Sequence, residues 1–259
     1  MALNLGSLDV FNQIYRDNIW GDGKGSGIGS DPVHVRPYTQ FLQNFLQQNQ
    51  IKSVVDLGCG DWQFSRELNL EGIEYLGVDV ATSVIESNQK EFQASNVSFS
   101  VLREYSQLPK SDLLICKDVL MHLGHEEVFK VIREAFPKFR QILITSDVNP
   151  YSALGDAYLN ARNMRQKMFN EDILTGQMTP FDIRMQPYNI PGEKVFSWTL
   201  PYDSLNQRLH LANAMAQGNR DHESRLKRLL RYPARLAQAL LLRDCQWRKD
   251  CVLITQSPR

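Results

Sequence analysis

Val54-Val55-Asp56-Leu57-Gly58-Cys59-Gly60-Asp61-Trp62 is the stretch that decides the fold. An apolar run ends in two glycines, and apolar residues then recur at helical spacing from Trp62 to Leu70. The order reads as strand, tight turn and helix. Gly58 and Gly60 have no Cβ, which lets the backbone pass close to a ligand. Position 62, where a dinucleotide fingerprint carries its third glycine, is Trp. That change argues against a pyrophosphate on the helix N-terminus and favours a smaller, cationic ligand. A plain turn has the same two glycines, so the signal needs support from elsewhere.

Support comes from the next apolar run, Tyr75-Leu76-Gly77-Val78-Asp79, which ends in an acid 23 residues beyond Asp56. A carboxylate at the end of a second strand can accept from both hydroxyls of a ribose. Asp79 also reads as a cap for a helix starting near Thr82. Further apolar runs lie at Val97 to Leu102, Asp112 to Cys116 and Gln141 to Thr145, with helical patterns over 82–92 and 126–136. Buried runs alternating with helices imply an α/β fold, a parallel sheet covered by helices on both faces. Phe41, Leu42, Phe45 and Leu46 mark one face of a helix over 38–50.

Outside this middle the rhythm changes. Residues 1–37 read as a glycine-rich flap anchored by Tyr15 and Trp20, and 151–172 as largely helical. Val195 to Leu200 and Cys251 to Thr255 resemble strands, with a helical insertion over 204–244 before the last one. The expected organisation is a core of 38–203 and 245–259 carrying that insertion. Lys plus Arg and Asp plus Glu both number 29, so no field of one sign covers the chain. Cys59, Cys116, Cys245 and Cys251 form no CxxC pair and read as reduced packing residues. No metal site is expected. The N-terminal residues have no export pattern and no segment is apolar enough to span a bilayer, so a cytoplasmic location is expected.

Asp56-Leu57-Gly58-Cys59-Gly60 and Gly77-Val78-Asp79 resemble the first two motifs of class I methyltransferases dependent on S-adenosylmethionine (SAM). The resemblance covers residues 38–147 and implies a Rossmann-like sheet of seven mostly parallel strands with a reversed final hairpin. It implies SAM as cofactor and S-adenosylhomocysteine (SAH) as product. The methionine moiety would lie near Asp56, Gly58, Cys59 and Gly60, the ribose at Asp79 and Val80, and the adenine around Arg103 and Glu104. It aligns Asp112 to Leu123 with the fourth strand and its loop, where the sulfonium and the acceptor meet beside Lys117. Tyr15-Arg16-Asp17-Asn18, Trp20-Gly21, Ser26 to Ser30 and Gly176 to Pro187 are similar to a subgroup linked to glycan or small-metabolite modification.

Methyl transfer to a hydroxyl needs alignment of nucleophile, methyl and sulfur, and a base near the attacking oxygen. His122 is the first candidate base; it also reads as a local cap or packing residue. Asp118 and Asp147, after the fourth and fifth apolar runs, stand as base, acceptor-binding carboxylate or loop cap, with Asn149 beside them. Tyr15 and Trp20 are candidates for a lid with a cation–π contact to the sulfonium, or for simple anchors of the flap. Trp62 shapes the methionine pocket or fills space.

Three rivals stand beside a small-molecule or glycan methyltransferase. An RNA methyltransferase would use Arg225 to Arg235 and Trp247-Arg248-Lys249 on phosphates, although Leu226, Leu229 and Leu230 also make that stretch an ordinary amphipathic face. A SAM-binding regulatory protein would lack turnover. A nicotinamide dehydrogenase shares the glycine turn and the ribose acid but not a glycine at 62.

Overall fold

The computed structural model describes residues 5–20, 25–149, 169–201 and 246–256. Seven strands form one sheet in the order β3-β2-β1-β4-β5-β7-β6. They are β1 (Ser53–Leu57), β2 (Glu74–Asp79), β3 (Val97–Val101), β4 (Ser111–Lys117), β5 (Phe139–Asn149), β6 (Glu193–Pro201) and β7 (Gln246–Thr255). The first five are parallel, and β7 runs antiparallel to both β5 and β6. This is the expected Rossmann-like sheet with a reversed final hairpin. The expected insertion over 204–244 and most of the helix expected over 151–172 lie outside the described residues.

Alternation along the strands feeds two cores. Val54, Leu113, Ile115 and Leu143 pack with α2 (Pro32–Gln48) and α3 (Thr82–Phe92) on one face. Val55, Leu57, Leu114, Ile142 and Ile144 pack with α4 (His125–Glu134) on the other. Strands buried on both faces lose the polar alternation of a half-exposed strand, which is why they appear as apolar runs. Among the described residues no helix is long and apolar enough to cross a membrane.

The structure corrects several element boundaries. α2 starts at Pro32, not Tyr38: Asp31 caps it by accepting from the Val33 N–H at 3.0 Å, and Pro37 is carried inside the helix. The flap is less loop-like than its glycines suggest, because α1 (Leu5–Arg16) occupies much of it and docks on α3, where Asn12 Oδ1 accepts from the Thr82 N–H at 3.1 Å. The helix expected over Trp62 to Leu70 is reduced to a 3-10 turn at Ser65–Glu67. Trp62 has φ 56, so the backbone keeps the left-handed conformation of a glycine there, and the indole packs at 5.2–5.7 Å from Tyr75, Phe92 and Phe99. Trp62 thus fills core space and does not line the cavity described next. Finally, β7 begins five residues earlier than its apolar half, and Lys249 and Asp250 in its polar half are buried.

Candidate active site

Strand order reverses between β1 and β4, the place where open α/β sheets bind ligands at the carboxyl ends of their strands. A cavity opens there, walled by the glycine turn after β1, the ends of β2, β4 and β5, and the N-terminal segment. The turn folds back over β2, with the N–H groups of Gly58 and Cys59 both donating to Val78 O at 2.7 and 3.1 Å. Gly58 has φ 72, and a Cβ there would stand 2.4 Å from Val119 Cγ2; Gly60 has φ 53, and its Cβ would stand 2.2 Å from Ser26 Oγ. Both backbone sign and close approach therefore require glycine.

Two buried acids line the cavity beside this turn, and Asp79 bonds to it directly. Asp79 Oδ2 accepts from the Gly60 N–H at 3.1 Å, and Oδ1 from the Ala81 N–H at 2.9 Å. Each oxygen keeps a lone pair. Burial raises the Asp79 pKa against these bonds. Asp56 Oδ2 accepts from Ser65 Oγ at 3.1 Å and from the Tyr75 hydroxyl, and burial lifts its pKa to about 6 although both bonds and Lys117 oppose it. Burial also raises the Cys59 thiol, which stays protonated.

The N-terminal segment closes across the turn through Asp61, a residue that no motif singles out. Ser26 Oγ donates to Asp61 Oδ1 at 2.5 Å and accepts from the Asp61 N–H at 3.1 Å. A serine has one hydroxyl hydrogen, so the Tyr15 hydroxyl donates to Ser26 Oγ at 3.0 Å. Trp20 lies edge-on to Tyr15 at 5.7 Å and rests on the His122 ring at 5.2 Å. Phe11, Tyr15 and Trp20 thus wall the cavity from above.

Four charged groups gather at the ends of β4, β5 and β7. Lys117 Nζ donates to Asp118 Oδ2 at 2.7 Å and to Gly29 O at 2.7 Å. Lys249 Nζ reaches Asp118 Oδ2 at 2.9 Å and Asp147 Oδ1 at 2.7 Å. Burial by itself would raise the Asp118 pKa, but the two ammonium groups outweigh it and bring it down to about 2. Burial disfavours the Lys249 charge, yet Asp118 and Asp147 hold its pKa above the usual ammonium range. Lys117, for which burial dominates, is lowered. Lys249 was expected only as a phosphate contact on an RNA surface; instead its side chain is 3% exposed and ties two carboxylates together.

His122 sits in the same wall, on the 3-10 turn Leu120–His122. Its Nδ1 lies 2.8 Å from Gln177 O. A carbonyl can only accept, so Nδ1 carries the hydrogen and Nε2 keeps its lone pair. Burial lowers its pKa, with Gln177 O and Asp118 opposing and Lys249 assisting.

The cavity wall therefore brings together Tyr15, Trp20, Asp56, Gly58, Cys59, Gly60, Asp79, Val80, Lys117, Asp118, His122 and Asp147. Arg103 and Glu104 are not in it: Leu102 and Tyr105 form that stretch, and Glu104 Oε2 accepts from Ser106 Oγ at 3.1 Å. The chain after β3 turns its apolar residues inward, because the Leu102 N–H is tied to Asp79 O at 2.8 Å. The Asn149 and Trp247 side chains and the segment 225–235 lie outside the described residues.

The profile of the family described as a methyltransferase domain matches residues 48–197, more than half of the chain. Among solved structures, YcgJ from Bacillus subtilis is 14% identical with a TM-score of 0.51, covering 86% of this chain and 99% of its own. Magnesium protoporphyrin IX methyltransferase from Synechocystis PCC 6803 with bound SAH is 17% identical with a TM-score of 0.49, covering 94% and 96%. At these identities the likeness concerns the fold. No curated protein matches the chain. The chain belongs to the methyltransferase-domain family and has the class I SAM-dependent methyltransferase fold.

Proposed function

We propose that this protein transfers the methyl group of SAM to a hydroxyl oxygen of a small-molecule or glycan acceptor, with His122 as the base. The observation that carries this reading is a single cavity holding the bare Gly58-Cys59-Gly60 turn, the Asp79 carboxylate and an imidazole with a free lone pair. The residues fit the cofactor. The glycine turn, which lines the cavity, would receive the methionine end, Asp79 the ribose, and Leu102 and Tyr105 the adenine.

When bound, SAM supplies a methyl group already activated on a positively charged sulfur. The residues of the chain then have to orient the acceptor, keep water out and take one proton. His122 Nε2 takes that proton from the acceptor hydroxyl, and Nδ1–H stays on Gln177 O, which fixes the ring. Asp118 favours the imidazolium that forms. Asp118 itself, with a pKa of about 2, is too weak a base for this step. Trp20 and Phe11 cover the imidazole side and exclude water.

Calorimetry with SAM, SAH and NAD tests the cofactor half of this reading, which expects SAM and SAH to bind. NAD binding without SAM binding rejects it. Incubation with methyl-labelled SAM and fractionated cell extract, followed by mass spectrometry, tests the acceptor. An O-methylated small molecule or glycan is the expected product. Label on RNA, or tight SAM binding with no labelled product from any fraction, hands the reading to a rival.

A further inference from the structure

Residues 25–30, which lead into α2, form a strap tied down at two points. At Ser26 it is tied to the turn after β1: the hydroxyl and the N–H both donate to the Asp61 carboxylate, at 2.5 and 3.3 Å, while Oγ accepts from the Asp61 N–H and the Tyr15 hydroxyl. Three residues on, Gly29 O accepts from Lys117 Nζ at the end of β4, at 2.7 Å. β1 and β4 are the neighbours at which strand order reverses, so the strap crosses the ligand crevice of the sheet. Ser26, Gly27, Gly29 and Ser30 share the cavity wall with Gly58, Gly60 and Asp79.

The tie at Ser26 is separable from the turn beneath it. The turn is held by Val78 O and Asp79 without the strap, and Asp61 Oδ2 keeps the Gln63 Nε2 donor at 2.6 Å when Ser26 leaves. Gly25 and Gly27, with φ 54 and 80, flank Ser26 and change backbone region without a Cβ penalty. Resting on the SAM reading above, we propose that the strap is the gate for cofactor exchange and that Ser26, acting through Asp61, is its latch: SAM enters and SAH leaves when the Ser26 contacts break. The latch is made of protein groups alone, so it holds the strap equally with and without a ligand, and loosening it speeds entry as well as release. A residue that only shaped the bound site would behave otherwise, its loss speeding release and weakening affinity.

The test is stopped-flow fluorescence of the full chain with SAH, read by Trp20 in the cavity wall, which yields association and dissociation rate constants separately. Ser26→Ala removes three of the four bonds at the latch. Both rate constants are expected to rise roughly tenfold, the size of one hydrogen bond to a charged group, with Kd kept within about threefold. Asp61→Asn, which retains one acceptor oxygen for the Ser26 hydroxyl, should fall between wild type and Ser26→Ala. The double variant should gain less than the product of the two single effects, because both residues act through one contact. Unchanged rate constants in both single variants overturn the proposal, since exchange then takes another path. Faster release without faster entry also overturns it, because Ser26 would then only support the bound ligand. If SAH fails to bind the wild-type protein, the parent reading falls, and the gate with it.

Discussion

The Gly60 N–H donates to Asp79 Oδ2 at 3.1 Å, so the acid suited to hold a ribose is also what holds the glycine turn in place. The same carboxylate takes the Ala81 N–H on its other oxygen and thereby fixes the entry to α3. With Asp79 holding the ribose as proposed, cofactor affinity and local stability would be coupled through one side chain.

Replacing Asp79 by Ala leaves two buried amides without acceptors, at about 1–3 kcal/mol each. The expected result is a lower melting temperature and a SAM affinity at least about tenfold weaker. Asp79→Asn, which still offers one acceptor oxygen, should fall between. Calorimetry with melting curves checks both, and wild-type affinity in the Ala variant would remove Asp79 from the site.

Asp56 makes stability depend on pH. Its folded pKa of about 6 is above that of an unfolded Asp, near 3.9, so the native state holds the proton more tightly. Its contribution is fully present below about pH 3.9 and is lost as the pH rises through about 6. Across that window wild type should lose about 2–3 kcal/mol relative to Asp56→Asn, which does not ionise. Urea unfolding at pH 4.5 and 7.5 measures the difference, and a gap that does not change with pH would refute the assignment.

At Trp62 strain and packing oppose each other. A left-handed non-glycine residue costs about 1–2 kcal/mol, whereas deleting a buried indole costs about 3–5 kcal/mol. Both Trp62→Gly and Trp62→Ala should be destabilised, with the Gly variant more stable than Ala by about 1 kcal/mol because only glycine relieves the strain. Denaturant midpoints decide it; an Ala variant at least as stable as Gly would show that the backbone relaxes.

For His122 the lowered pKa predicts neutral imidazole throughout the range above its ordinary 6.5. Turnover of the acceptor found by labelling should stay level from pH 8 down to about 6.5, with the acid limb below that. His122→Ala should slow a single turnover by about 10²–10⁴ and leave SAM affinity within about twofold. An unchanged single-turnover rate would exclude His122 as the base.

Local pattern and chemistry made much of this protein legible. The central parallel strands announce themselves because strands covered on both faces are almost purely apolar, β3 at the edge alternates Val, Ser, Phe, Ser and Val, and Gly58, Gly60, Asp79 and His122 stand out after strands. The polar half of β7 did not, since Lys249 and Asp250 look like surface residues until Asp118, Asp147, Lys194 and Ser197 are brought to them. Pro37 concealed the first turns of α2, and the apolar spacing after the glycine turn hid a Trp with the backbone of a glycine.

From the sequence alone came the α/β class, the glycine turn and the acid one strand away, because short-range periodicity and backbone sterics encode them. Only the tertiary structure decided that Lys249 orders Asp118 and Asp147, that Ser26 and Asp61 lock the N-terminal segment over the turn, and that Gln177 fixes the imidazole. Contacts between residues far apart along the chain carry no periodic signature, and they exist only once the sheet order places strand ends side by side.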